Sequence, residues 1–128
     1  MTTSRLFIDQ VNAYFRAVNA RDWPRLGGLV ADAVSVRFPG FSPFEGRDEL
    51  VLALERNLQP FEHHHDEVVR CHVDGRVAIA ELAFSGRTVR GDPVAFDAVE
   101  IMEFDGDQRI DRLRLWFDRL DVLQQLQP

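Results

Sequence analysis

Along the first sixty residues, apolar positions return at steps of three and four. Leu6, Phe7, Val11, Tyr14, Phe15 and Val18 make one stripe, the mark of a helix with a single buried face. Thr2, Thr3 and Ser4 stand before it as candidate caps. Asp22-Trp23-Pro24 predicts a second helix, with Asp as N-cap, Pro in the first turn, and Leu26, Leu29 and Val30 on its apolar side. Residues 34–38 alternate and predict a short strand, and Pro39, Gly40, Pro43 and Gly46 mark a loop. Leu50, Leu54 and Leu58, four apart, predict a third helix over 47–58 that ends at Pro60.

Beyond that proline the period shortens to two. Residues 65–73 and 76–85 flank Asp74-Gly75, a strong hairpin signal, and 94–104 and 109–117 flank Asp105-Gly106-Asp107. Residues 119–126 predict a last helical turn. Helices followed by an antiparallel meander give an α+β class in one domain covering residues 1–128.

The first hairpin fixes which side chains share a face. A two-residue turn at Asp74-Gly75 pairs Val73 with Arg76, Cys71 with Ala78 and His65 with Phe84, and cross-strand partners lie on one side of a sheet. One face then collects His63, His65, Glu67, Val69, Cys71, Ala78, Ala80, Leu82 and Phe84. Phe96, Ala98, Glu100 and Met102 share a side of the next strand, and Leu113, Leu115 and Phe117 a side of the last. Small side chains beneath helices leave room for a ligand pocket; the other reading is a core whose gaps the helices fill. Val68, Val77, Ile79, Val99 and Ile101 fall on the opposite face, an apolar area that predicts a homodimer formed through the sheet.

Charge and composition narrow the partners. The 128 residues hold 15 Lys+Arg against 21 Asp+Glu, a net charge of −6, which argues against a nucleic-acid binder because such a protein needs a basic stripe. One cysteine excludes an internal disulfide framework. No apolar run approaches the roughly 18 residues of a membrane span, and the first residues do not read as an export signal. The expectation is a cytoplasmic protein with no membrane partner.

Candidate chemistry centres on Glu100. A carboxyl group among Phe84, Phe96, Ala98 and Met102 loses water, which favours its neutral form. A neutral acid can donate a hydrogen bond to a carbonyl oxygen, or act as general acid or base if it titrates near neutrality. The competing reading pairs Glu100 with an arginine across the sheet. Tyr14 offers a ring for the core and a hydroxyl for its rim. His63, His65 and Glu67 would give three ligands on one face, but one short segment makes a poor metal cage, so no metal is expected. His65 is then a candidate acid/base at the pocket edge. Asp118 is either an acid/base or the cap of the last helical turn. Cys71 has no cation on its face to activate it and reads as inert. No nucleophile elbow, dinucleotide fingerprint or phosphate loop occurs, so no cofactor is expected.

The order of these segments, with several local strings, resembles the nuclear transport factor 2-like superfamily, and within it the SnoaL-like polyketide cyclase and ketosteroid isomerase-like branch. The strings are Asn12-Ala13-Tyr14 through Ala20-Arg21-Asp22-Trp23, Leu29-Val30-Ala31-Asp32-Ala33-Val34, Gly46-Arg47-Asp48-Glu49-Leu50, Glu100 to Gly106 with Arg109-Ile110, and Trp116-Phe117-Asp118-Arg119-Leu120. The resemblance implies three N-terminal helices packed on a strongly curved antiparallel sheet, a cone-shaped α+β barrel. That fold hosts isomerases, cyclases, dehydratases, epoxide hydrolases and non-catalytic adaptors.

Ketosteroid isomerase holds its substrate oxygen with a Tyr and a protonated Asp and moves the proton with a second Asp. By resemblance Tyr14 matches the Tyr and Glu100 the protonated Asp, while Phe38 stands where the base belongs. The implied function is a cofactor-independent isomerase, cyclase or dehydratase acting on a small, largely apolar carbonyl compound. Glu100 and Tyr14 would stabilise charge on oxygen, and His65 or Asp118 would move the proton. Phe38, Ala80, Leu82, Phe84, Phe96, Ala98, Met102, Leu115 and Phe117 would line the site. The alternative, favoured by Phe38, is a ligand-binding or adaptor domain without chemistry.

Overall fold

A computed structural model describes residues 3–127, the side chain of Thr3 excepted. Four helices and six strands follow in the order α1 (Thr3–Ala20), α2 (Trp23–Gly27), β1 (Val30–Arg37), β2 (Phe44–Glu45), α3 (Arg47–Leu58), β3 (Phe61–Asp74), β4 (Val77–Thr88), β5 (Pro93–Phe104), β6 (Ile110–Trp116) and α4 (Arg119–Leu126). The α+β class holds, with three differences. Only α1 and α2 precede the first strand, because α3 lies between β2 and β3. The expected last turn is a fourth helix of eight residues. The sheet is mixed and open: its order is β2-β1-β6-β5-β4-β3, β1 runs parallel to β6, and β2 and β3 are unjoined edges, so the barrel does not close.

Helix starts follow local chemistry. Asp22 caps α2 by accepting a hydrogen bond from the backbone N–H of Arg25 at 3.2 Å, and Pro24 sits in the first turn where a missing N–H costs nothing. The helix ends at Gly27, and Val30, expected on its apolar side, opens β1 instead. Ser4 lies inside α1 rather than capping it; Thr2 is outside the described residues.

The core lies between one face of the sheet and the helices. Val11, Tyr14, Phe15 and Val18 of α1 meet Ala78, Ala80 and Leu82 of β4, Met102 of β5 and Leu113 of β6 in one buried cluster. A ladder of rings closes one end. Phe61 meets Phe84 at 5.0 Å between centroids, Phe84 meets Phe96 at 4.6 Å, and Phe96 meets Phe117 at 5.1 Å. Gly86 makes room for it, since a Cβ there would lie 2.8 Å from Phe61 and 3.1 Å from Phe84.

The first hairpin departs from the expected register. Gly75, with φ +60°, and Arg76 form the turn, so Asp74 pairs with Val77, Val73 with Ala78 and Cys71 with Ala80. Near the turn the faces agree with expectation. A bulge then intervenes, because Val68 pairs with Leu82 and Arg70 with Glu81, which leaves Val69 extra. An extra residue reverses the inward and outward alternation beyond it. His64, Asp66 and Val68 therefore turn inward, and His63, His65, Glu67 and Val69 turn out to solvent.

Candidate functional site

Beneath the helices the inner face of the sheet leaves a cavity of about 360 Å³. Its wall is mostly apolar and aromatic. Of the residues expected to line it, Phe38, Leu82, Phe84, Phe96, Ala98, Leu115 and Phe117 do so. Ala80 and Met102 are buried behind that wall and do not reach it.

Three proton-bearing groups reach the inner part of the cavity from different elements. Tyr14 projects from the buried stripe of α1, Glu100 from β5, and Asp66 from β3 below the bulge. Glu100 is 4% exposed and Tyr14 1%. Oε2 of Glu100 and the hydroxyl of Tyr14 are both buried with no hydrogen-bond partner in the protein. Buried polar atoms are almost always satisfied, so two orphans beside one cavity leave hydrogen-bonding capacity there unmet. No guanidinium pairs with Glu100 among the described residues.

Electrostatics sort the three groups. Burial first, and then the nearby Asp66 carboxylate, push Glu100 up to about 8. Burial raises Asp66 to about 6, with His65 pulling the other way. Burial, then the charges of Glu100 and Asp66, hold the Tyr14 phenol well above its usual range. At pH 7 the cavity therefore offers two neutral donors, Tyr14 and Glu100, and one ionised acceptor, Asp66. This is the pairing of unlike protonation states that acid–base chemistry needs.

Asp66 is held by its backbone. The Asn19 amide of α1 donates to the Asp66 carbonyl at 3.0 Å, and its Oδ1 accepts from the Asp66 N–H at 2.8 Å. That two-point contact works like one more rung of a sheet and ties α1 to β3. Next to it, His64 bonds the Val18 carbonyl through Nε2 at 3.1 Å and stacks on Phe84.

The other expected acid/base residues lie elsewhere. His65 is exposed on the outer face opposite Ser85, because the bulge turned it outward. Asp118 caps α4, accepting from the Asp121 N–H at 3.1 Å, and does not line the cavity. Burial pushes the Cys71 thiol up, which keeps it protonated. The inward facing of Asp66 is not legible in the sequence, because the polar run His63 to Glu67 has no period of its own and a bulge separates it from the turn that sets the register. Among the described residues, no group of three His, Cys, Asp or Glu is arranged to hold a metal ion. No helix is long and apolar enough to cross a membrane.

Solved structures share this architecture. An epoxide hydrolase of the LEH-like kind from M. tuberculosis matches at TM-score 0.80 and 23% identity, over 98% of this chain and 92% of its own. A candidate polyketide cyclase from Xanthomonas campestris matches at TM-score 0.88 and 16% identity, over 98% and 100%. A protein with a ketosteroid isomerase-like fold from Catenulispora acidiphila, solved with trimethylamine, matches at TM-score 0.80 and 19% identity, over 91% and 90%. At these identities the likeness is one of fold. No curated protein matches the sequence significantly. The model of the SnoaL-like domain, however, matches residues 11–113, most of the chain, and with the nuclear transport factor 2-like architecture around the cavity this places the protein in the SnoaL-like domain family.

Proposed function

We propose that this protein binds a small, largely apolar carbonyl compound in its cavity and moves a proton on it without a cofactor. The observation that carries this reading is the pair of orphaned polar atoms, Tyr14 Oη and Glu100 Oε2, beside an apolar cavity. Both groups are protonated at pH 7 and can donate to one substrate oxygen. Asp66, ionised at that pH, takes the role first expected of His65 or Asp118 and supplies the base missing at Phe38.

In the proposed step Asp66 removes a proton from the carbon beside the carbonyl. The C–H electron pair becomes the enolate, whose oxygen accepts hydrogen bonds from Tyr14 and Glu100. Asp66 then returns the proton to another carbon of the substrate, which completes an isomerisation. The same enolate attacking a second carbonyl gives an aldol-type cyclisation, the new alkoxide taking the proton from Asp66; alternatively the enolate breaks the β C–O bond, and the departing hydroxyl takes that proton and leaves as water, a dehydration. Donors waiting in a water-poor site lower such a barrier because they need no reorganisation.

The test is hydrogen exchange. Cyclic ketones and β,γ-unsaturated ketones that bind the purified protein are incubated in D₂O, and deuterium at the α-carbon is followed by NMR. Exchange above the buffer rate is expected. Asp66→Asn should lower it about 10²-fold or more, and Glu100→Leu should lower it by removing an oxyanion donor. Phe38 favours a second reading, a domain that binds without chemistry. Ketones that bind while exchanging no faster than in buffer would select it.

A further inference from the structure

The cavity is acidic at its buried wall and basic at its rim. Arg56, in the last turn of α3, and Arg119, the first residue of α4, line it from exposed positions, with Asn57 beside them. Among the described residues neither guanidinium forms an ion pair, although acidic side chains outnumber basic ones by six, 21 − 15.

Local structure accounts for one of these cations and not for the other. Arg56 sits near the C-terminus of α3, where the helix dipole favours positive charge. Arg119 sits at the N-terminus of α4, where the dipole disfavours it. Its side chain is nevertheless laid across the loop that borders the cavity: a Cβ on Gly40, which has φ +86°, would lie 2.5 Å from Arg119 Nε. A bare glycine there leaves the guanidinium its place beside the rim.

We propose that the ligand is an anionic amphiphile whose apolar, carbonyl-bearing end enters the cavity while a carboxylate or similar oxyanion at its other end rests between Arg56 and Arg119. The inference rests on the cavity being the binding site. The guanidinium fork suits an oxyanion, and Leu54, Leu123 and Leu126 line the cavity around an apolar body. The reverse orientation would set the anion beside the Asp66 carboxylate in a low-dielectric wall, where like charges repel strongly.

Two dyes separate charge from greasiness: 8-anilinonaphthalene-1-sulfonate and its uncharged parent, N-phenyl-1-naphthylamine. Fluorescence titration is expected to show tighter binding of the sulfonate, by a margin that shrinks with added salt. An R56Q/R119Q double variant should weaken the sulfonate about fivefold or more, as two partly screened charges allow, and leave the parent amine unchanged. Ala98→Phe, which fills the cavity, should weaken both dyes; Leu115→Phe serves if that variant does not fold. Equal affinity for the two dyes in the wild type, or equal losses in the arginine variant, overturns the anionic ligand and leaves the cavity as a binding site. Undiminished binding in folded cavity-filled variants, or no binding by the wild type, overturns both.

Discussion

Asp66 and Glu100 carry the same functional group and meet different surroundings. Both hold a proton more tightly in the folded chain than in the unfolded one, chiefly through burial. Each therefore adds stability that is complete below its unfolded pKa and is lost as pH climbs through its folded pKa. For Glu100 that window runs from 4.5 to about 8, and for Asp66 from 3.8 to about 6. Urea denaturation should show the wild type losing stability steadily between these limits, by a few kcal/mol in all. Glu100→Gln should abolish the part of the loss above about pH 6, since Asp66 has by then ionised. A flat wild-type profile would mean that Glu100 is solvated and would remove the oxyanion reading. The proposed proton transfer needs Asp66 ionised and Glu100 protonated, so kcat/KM should rise near pH 6 and fall near pH 8. Asp66→Asn should erase the acidic limb.

Strand β3 separates what pattern alone can give from what it cannot. Tyr14 was legible because α1 has an unbroken apolar stripe that fixes its inward face. Glu100 was legible because β5 alternates cleanly, with Ala98 and Met102 buried on either side. On β3 the residues from His63 to Glu67 are all polar, so nothing local fixes their phase, and one extra residue at Val69 reverses it. The same bulge moved His65 out and Asp66 in. Short β2, expected as loop, carries no period because it has only two residues next to Pro43. The contact that settles Asp66 comes from another element, the Asn19 amide of α1. Asn19→Ala would leave the Asp66 N–H and C=O unpaired in a part-buried place, at a cost of about 1–3 kcal/mol, measurable by chemical denaturation. Because the base would lose its anchor while the apolar wall stayed, kcat should fall more than KM rises. A loss of stability with kcat unchanged would make Asn19 a purely structural tie.

On the whole molecule, helices cover the inner face of the sheet and leave much of the outer face bare. Val69 is 58% exposed, Ile79 38%, Val99 37% and Trp116 44%. Val99 faces Trp116 directly across β5 and β6, and Ile79 faces Ile101 across β4 and β5, so these residues share one side. Val68, expected among them, turns inward below the bulge, and Val69 takes its place. Charges border the patch: Glu81 lies near Arg70 and His72, and Glu103 bonds Arg112 and Arg114. Arg114 also lies 6.0 Å from the ring of Trp116. An apolar centre with paired charges around it suits a self-complementary contact, in which each residue meets its counterpart across a two-fold axis. We propose that two copies pair through this face. Sedimentation equilibrium at micromolar concentration should give twice the chain mass. Val99→Lys should give the single-chain mass, because it sets two like charges near one another in a desolvated centre. It should do so without loss of fold, since Val99 lies outside the core. A wild type that sediments as one chain across that range would rule out the pairing and leave the proposed acid–base site, which is built from a single copy, untouched.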